Sequence, residues 1–148
     1  MLPLQFQQWF AARGWQPRAH QLKLLEHAQK GESVLLVAPT GGGKTLAGFL
    51  PSLVELSARP KRARKPGLHT LYISPLKALA VDVARNLDAP IAEMDLGVTV
   101  ETRTGDTPLA RRQRQRQKIS ALGIVQSMQF VQHHATKTGE HLGGAGMR

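Results

Sequence analysis

The pattern of apolar and polar positions begins with two helical periods and then changes to a short, continuous apolar run. Residues 4–13 and 17–30 are predicted to be amphipathic helices, each followed by a glycine that ends it. The run SVLLVA at 33–38 contains no charged residue and has the length of a strand. Such a run is typical of a strand that is buried on both faces of a sheet.

Strand and helix then alternate along the rest of the chain. A glycine-rich turn opens a helix at 44–56, and Pro51 is expected to kink that helix. The other predicted elements are, in order, a strand at 69–73, a helix at 76–87 that starts after Ser74 and Pro75, a helical turn at 90–96, a strand at 98–103 and a helix after Thr107 and Pro108. Three strand–loop–helix units in series predict an α/β fold with a parallel sheet and right-handed crossovers.

Charge adds a possible partner to this picture. The 148 residues hold 20 Lys+Arg and 10 Asp+Glu, which gives a formal net charge of +10. Two blocks without acids, Arg59–Lys65 and Arg111–Lys118, carry this excess. Charge concentrated in two short segments favours localised contact with a polyanion over a uniformly basic surface.

Composition excludes several classes of protein. The length suits a single domain, and a hydrophobic fraction of 41% argues against wholesale disorder. The chain has no cysteine, which excludes disulfides, thiolate metal sites and a cysteine nucleophile. No apolar run approaches the roughly 18 residues that a membrane span needs, and the N-terminus does not resemble a signal peptide. We therefore expect a cytoplasmic location and no membrane partner.

The glycine-rich turn is the strongest candidate for chemistry. The segment Ala38–Thr45, APTGGGKT, follows a predicted buried strand and opens a helix, which is the context of a phosphate-binding loop. Backbone N–H groups would surround a phosphate, Lys44 would neutralise it, and the Thr45 hydroxyl would complete the shell of a Mg²⁺ ion. The first position of the usual pattern is Ala38 rather than glycine. The alternative is a flexible glycine-rich turn with an incidental lysine.

Three segments in series resemble a known family. The strings RGWQPRAHQ, APTGGGKTLAGFLPSLVEL and HTLYISPLKALAVDVARNL are similar to the first motifs of DEAD/DEAH-box superfamily 2 helicases, and within these to the Lhr-type, ligase-associated DEXH-box DNA helicases. The resemblance extends from about Phe6 to Lys118. It implies an N-terminal fragment of a helicase with a partial RecA-like P-loop domain. It further implies ATP and Mg²⁺ as cofactors, DNA as a partner, and repair proteins associated with a DNA ligase as further partners.

The same resemblance assigns residues to the nucleotide. Lys44 and Thr45 take catalytic roles, Thr45 holds the metal, and Gln21 matches the glutamine that binds adenine through its amide. The complete nucleotide set is Gln21, Ala38, Pro39, Thr40, Gly41, Gly42, Gly43, Lys44 and Thr45. For Gln21 the alternative is an exposed helix glutamine. Phe10 and Trp15 are candidates to stack on the base, although ordinary core packing is favoured for Phe6, Trp9 and Phe10.

Two further segments match elements that contact nucleic acid in the family. Ser74, Pro75 and Lys77 lie in the motif Ia match, and Thr104, Gly105 and Asp106 form the TGD match. For both segments the alternative is a turn followed by a helix cap. The block Arg111–Lys118 alternates bases with glutamine and is better explained as a solvated helix surface, and Arg59–Lys65 is equally well explained as a variable loop.

The family's catalytic carboxylates have no counterpart in the sequence. No Asp-Glu dipeptide occurs, and the only acid after Asp106 is Glu140. Residues 1–118 are therefore interpreted as part of the first RecA-like domain and residues 119–148 as an aberrant, disordered tail, which a shifted reading frame would explain. We expect ATP and nucleic-acid binding without hydrolysis or unwinding. The alternatives are a nucleotide-independent basic DNA-binding module, a non-functional truncated gene product, or another P-loop enzyme such as a small-molecule kinase.

Overall fold

A computed structural model describes residues 1–59, 68–120 and 126–129, which form five helices and two short strands. The helices are α1 (Leu4–Ala12), α2 (Ala19–Gln29), α3 (Lys44–Ala58), α4 (Lys77–Glu93) and α5 (Leu109–Ser120). The strands are β1 (Thr70–Ile73) and β2 (Gln126–Gln129). All five helices begin within two residues of the positions expected from their apolar period, since glycines and prolines at their ends act locally.

The two strands pair in parallel. Thr70 lies opposite Gln126, and the register continues to Ile73 opposite Gln129. β1 was predicted, whereas β2 lies in residues 119–148, where no strand was expected. The partner of β1 could not be inferred from the sequence of β1, because strand pairing depends on a segment that is distant in the chain.

The other two predicted strands are not strands in the described chain. Residues 33–38 and 98–103 have no assigned sheet pairing, and the side chains of Leu35 and Val37 are 80% and 85% exposed. A strand forms only when a neighbouring strand supplies partners for its N–H and C=O groups. Among the described residues, no strand lies beside residues 33–38, so this apolar run has no strand to pair with.

Two helices continue through a proline. α3 runs past Pro51 to Ala58, and α4 runs past Pro90 to Glu93, so the separate helical turn expected at 90–96 belongs to α4. Proline removes only its own N–H from the ladder, and burial of neighbouring side chains offsets that loss. Pro90 is itself buried in the interior.

The core is helical rather than sheet-centred. Phe6 of α1 and Leu50 of α3 are completely buried, and the surrounding cluster takes side chains from α1 to α4. Phe10 packs edge-on against Trp9 with a centroid distance of 5.1 Å. Core packing of the three aromatic residues of α1 is thus confirmed. On the other side of the core, Phe49 contacts Tyr72 of β1 at 5.6 Å and joins the helices to the strands.

A polar cluster fastens α1 to the end of α4. The Trp9 indole Nε1 donates a 2.7 Å hydrogen bond to Glu93 Oε2, and Arg13 Nε donates to the same oxygen at 3.0 Å. The Arg13 guanidinium also lies over the rings of Trp9 and Trp15, at 4.9 and 5.0 Å from their centroids. Hydrogen bonds from Arg13, and then from Trp9, hold the pKa of Glu93 below its ordinary value.

Replacing Glu93 with glutamine should lower the melting temperature at neutral pH, because the neutral amide loses its charge-assisted bonds. Since the folded pKa of Glu93 lies below the ordinary 4.5, its contribution is complete above pH 4.5 and is lost as pH falls through the folded pKa. Thermal melts of both proteins between about pH 3 and 7 would measure this.

The matched control is Glu26→Gln, which removes only the exposed pair that Glu26 makes with Lys30 on α2. We expect a smaller shift for this control because exposed helix pairs contribute little. The Glu93→Gln protein and the unaltered protein should have converging melting temperatures at the acidic end of this range. A difference in melting temperature that stayed constant at all pH values would contradict the role assigned to Glu93.

Candidate functional site

The glycines of the segment Pro39–Gly43 set the shape of the loop before α3. Gly41 and Gly43 have φ angles of 76° and 73°, in the left-handed region that side chains disfavour. Gly42 N–H donates to the Pro39 carbonyl oxygen at 3.0 Å, and a Cβ on Gly42 would lie 2.8 Å from that oxygen. Each of the three glycines therefore meets a specific steric demand, and the alternative of a merely flexible turn does not account for this.

The start of α3 leaves backbone donors available. Gly43 is the N-cap residue, it provides no side-chain cap, and the first turn holds no acid. The bond from Ala47 N–H to Gly43 O, 3.0 Å long, belongs to the first complete turn. The N–H groups before it, at Lys44, Thr45 and Leu46, have no partner within the helix. Together with the helix dipole, this arrangement suits a bound anion.

Lys44 folds back over the loop. Its Nζ donates to the carbonyl oxygens of Ala38 and Pro39, at 2.8 and 2.9 Å. Its charge is thereby held directly above the glycine turn by neutral acceptors. An ammonium held only by carbonyls remains able to exchange them for the stronger acceptors of a phosphate.

Gln21 joins α2 to the loop. Its side chain is only 3% exposed, so the alternative of an exposed helix glutamine is wrong. Oε1 accepts a hydrogen bond from Arg18 N–H at 2.9 Å, and Nε2 donates to Gly43 O at 3.4 Å. A Cβ on Gly43 would lie 2.9 Å from this Nε2. The structure thus brings Gln21 to the phosphate-loop candidate, although adenine binding by Gln21 stays a prediction.

The two aromatic candidates for stacking on a base differ in exposure. Phe10 is 3% exposed and belongs to the core, where it packs edge-on against Trp9. Trp15 is 50% exposed, but one face already contacts Trp9, with a centroid distance of 5.9 Å, and Arg13. Burial favours the core-packing role of Phe10, and stacking on a base stays a prediction for both residues.

The second group of predicted residues starts just before α4. The Ser74 hydroxyl accepts a hydrogen bond from Leu76 N–H at 3.3 Å, and it lies 3.1 Å from Leu76 O. This local turn, which includes Pro75, delivers the chain to the first residue of the helix, Lys77. The helix start is displaced by one residue from its expected position at 76 because Leu76 is the N-cap.

The TGD match forms a turn that is fixed on both sides. Thr104 N–H donates to Thr107 Oγ1 at 2.9 Å, and Thr107 N–H returns a bond to Thr104 O at 3.2 Å. Arg112 of α5 donates to the carbonyl oxygens of Thr104, at 3.3 Å, and Gly105. The turn is therefore attached to the helix that follows it.

Lys77 and Asp106 form an ion pair that joins the two predicted nucleic-acid segments. Both side chains remain largely open to solvent, at 61% and 71% exposure. No hydrogen bond or ion pair between described residues links this group to Gln21 or to the loop at 38–45. The predicted residues thus fall into two groups, one at the start of α3 and one at the start of α4.

Sequence reasoning missed the role of Arg112. It treated the block Arg111–Lys118 as a solvated helix surface, and this fits the exposed Arg111, Arg114 and Arg116. Arg112 instead turns inward to the carbonyls of the preceding turn. Its only sequence signal is its place one helical turn after Thr107 and Pro108. The other basic block lies outside the described residues except for Arg59, which pairs with Glu55.

The described residues contain neither a membrane-spanning helix nor a cluster of metal ligands. None of the helices they form combines the length and the apolar character that a membrane span requires. In the same part of the chain, no three His, Asp or Glu side chains are grouped so that they could hold a metal ion.

The fold agrees with comparisons to known proteins. Residues 18–143 match the DEAD/DEAH box helicase family, and the chain belongs to that family. The solved structure of Mycobacterium smegmatis helicase Lhr bound to ssDNA and AMP-PNP is similar over 86% of this chain, with a TM-score of 0.67 and 33% identity. The RecA-like helicase fold of the domain is therefore shown.

Curated relatives narrow the resemblance to the Lhr type. The Lhr helicase/probable uracil glycosylase of Mycolicibacterium smegmatis is 40% identical over 111 residues, which is 68% of this chain. The Lhr helicase/uracil glycosylase of Escherichia coli is 40% identical over 120 residues, or 70% of this chain. The expected resemblance to Lhr-type helicases is confirmed. The chain spans only 7% and 8% of these two relatives and 17% of the solved structure.

The close approach at Gly42 gives a prediction about the loop. Replacing Gly42 with alanine should lower the free energy of unfolding by about 1–3 kcal/mol, because the added Cβ would overlap a backbone oxygen that cannot rotate away. Urea denaturation followed by circular dichroism measures this change. Gly105→Ala is the matched control, since a Cβ there meets nothing within 4 Å. Equal losses in both variants would show that the turn is not sterically constrained.

Proposed function

We propose that this chain is an ATP- and nucleic-acid-binding part of an ATP-dependent DNA helicase. The observation that carries the proposal is the contact between Gln21 and Gly43. It places the glutamine of the Q-motif match, 22 residues away in sequence, on the loop of the P-loop match. The bond from Arg18 N–H to Gln21 Oε1 caps α2, and the Nε2 contact to Gly43 O joins that capped helix start to the loop.

The residues at the loop fit the phosphates of ATP. The left-handed Gly41 and Gly43 and the crowded Gly42 form a turn that only glycines allow, and unpaired N–H groups follow at the start of α3. In the proposed complex Lys44 leaves two carbonyls for phosphate oxygens, and Thr45 offers its hydroxyl to Mg²⁺. Ala38, Pro39 and Thr40 complete the loop, and Gln21 binds the base. The bound metal supplies charge neutralisation at the phosphates.

DNA is the proposed partner of the second site. The Mycobacterium smegmatis relative that shares the fold is described as bound to ssDNA and AMP-PNP. Ser74, Pro75 and Lys77 lead into α4, and Thr104, Gly105 and Asp106 form the turn beside it. An exposed lysine at the start of a helix suits the sugar-phosphate backbone rather than base edges. Repair proteins associated with a DNA ligase stay a predicted class of partner.

The finer description of the domain is also a proposal. We infer a partial RecA-like domain over residues 1–118 with a parallel sheet that is incomplete toward the C-terminal end, followed by an aberrant segment at 119–148. The parallel pairing of β1 with β2 supports a parallel sheet, and it counts against an aberrant origin for Gln126–Gln129. The exposed Leu35 and Val37 support the idea that sheet neighbours are missing beside residues 33–38.

Coupled binding distinguishes this function from its main alternative. Lys44→Ala should weaken binding of a fluorescent ATP analogue by about 10- to 100-fold, because a charge-assisted bond to phosphate is lost. Lys23→Ala, which removes an exposed lysine of α2, is the matched control and should change little. Titrations with and without single-stranded DNA should show that each ligand changes the affinity for the other.

The second candidate is a basic DNA-binding module that does not need nucleotide, and the concentration of the +10 net charge in two blocks favours it. DNA affinity that is the same with and without ATP, and the same in Lys44→Ala, would support this module and contradict the helicase proposal.

A further expectation concerns catalysis. The 148-residue chain should release no phosphate from ATP above the uncatalysed rate, with or without DNA, because no Asp-Glu pair is present to hold the metal and activate water. A phosphate-release assay on purified protein measures this directly. Release that DNA stimulates and that Lys44→Ala abolishes would contradict the prediction.

A further inference from the structure

The ion pair between Lys77 and Asp106 joins two residues that have opposite relations to a phosphate. Lys77 attracts the DNA backbone, whereas a carboxylate repels it. We propose that Asp106 competes with DNA for Lys77: it holds the ammonium in the free protein and gives it up when a DNA phosphate arrives. This inference rests on the proposed DNA binding at the start of α4. It assigns to Asp106 a regulatory role in place of a direct contact.

The position of Asp106 does not depend on Lys77. The turn that carries it is closed by the reciprocal bonds of Thr104 and Thr107, and Arg112 holds the carbonyls of Thr104 and Gly105 against α5. The backbone that carries the carboxylate is therefore held independently of the ion pair. A carboxylate on such a backbone stays near the start of α4 when the lysine leaves, which is what a reversible competitor requires.

Lys77 is similarly well placed to change partners. It is the first residue of α4, and the Ser74 turn before it fixes the backbone while the side chain stays 61% exposed. An exposed ion pair is weak, because water screens it and two side chains must be ordered to form it. DNA presents a dense line of phosphates with a strong local potential. The exchange therefore favours DNA over a single carboxylate.

The exchange gives the site selectivity for polyanions. A small anion with one charge offers Lys77 no more than Asp106 already offers. A nucleic-acid strand offers several phosphates at once, of which one replaces Asp106 while its neighbours bind elsewhere. Asp106 thus weakens DNA binding slightly and suppresses binding of isolated anions more strongly.

The test is a double-mutant cycle on the full chain with fluorescein-labelled oligothymidylate. Asp106→Asn should bind the oligonucleotide about two- to fivefold more tightly than the unaltered protein, as expected for release of an exposed pair. Asp88→Asn is the matched control, since it removes the same charge from an exposed position of α4 and should give a smaller gain. In a Lys77→Met background, the gain from Asp106→Asn should fall to that of the control.

Other outcomes overturn the inference. Weaker binding by Asp106→Asn would mean that the carboxylate orients Lys77 for DNA, and an unreduced gain in the Lys77→Met background would mean general charge repulsion. Asp106→Ser serves as a second variant and should behave like Asp106→Asn. If no variant binds the oligonucleotide while circular dichroism shows a folded chain, the proposed DNA-binding function fails as well. DNA binding that is unchanged in Asp106→Asn overturns only the competition.

Discussion

Helix α3 has to satisfy two demands, one in its middle and one at its first residue, and the rest of the domain depends on how it does so. Its middle lies in the core, where Leu50 is completely buried and Phe49 and Leu53 are nearly so. Its first residue, Lys44, must at the same time stay at the surface of the glycine turn. Burial of apolar side chains fixes the helix by a non-directional force. The orientation of its first turn therefore follows from packing several residues further along the helix. The glycines of the loop adopt the backbone angles that connect to a first turn in this orientation.

The helical part of the fold was predictable because its signals are local. Apolar periodicity and nearby glycines and prolines determine where α1 and α2 lie, and the glycine pattern before Lys44 indicates the loop. The strand at 33–38 was not predictable in the same way. SVLLVA has the composition of a buried strand, but a strand is a relation between two segments, and here Leu35 and Val37 remain exposed. The tail posed the converse problem, since β2 has little strand character of its own and pairs with β1.

The same distinction between local and distant signals applies to side-chain contacts. Gln21 could be identified from a motif match, yet only the fold shows that its amide reaches Gly43 rather than solvent. Arg112 carried no signal beyond its membership in a basic block, because a contact to the carbonyls of the preceding turn depends on rotamer and turn geometry together. Trp9 and Glu93 are 84 residues apart, and nothing in either segment points to the other. A motif thus indicates candidate functional residues, but it does not indicate which other residues their side chains contact.

Total charge does not by itself locate the proposed nucleic-acid site, and the described contacts explain why. Arg59 pairs with Glu55, and Arg112 donates hydrogen bonds to backbone carbonyls. One arginine of each basic block therefore makes contacts within the protein. Lys77, which belongs to neither block, stands exposed at the start of a helix and pairs with Asp106. Salt-dependent attraction to a polyanion grows with the number of free cations, but a defined contact needs a cation whose backbone is fixed. Lys77 at the start of α4 meets that criterion for the proposed DNA contact, and the basic blocks would add to the field that draws DNA toward it.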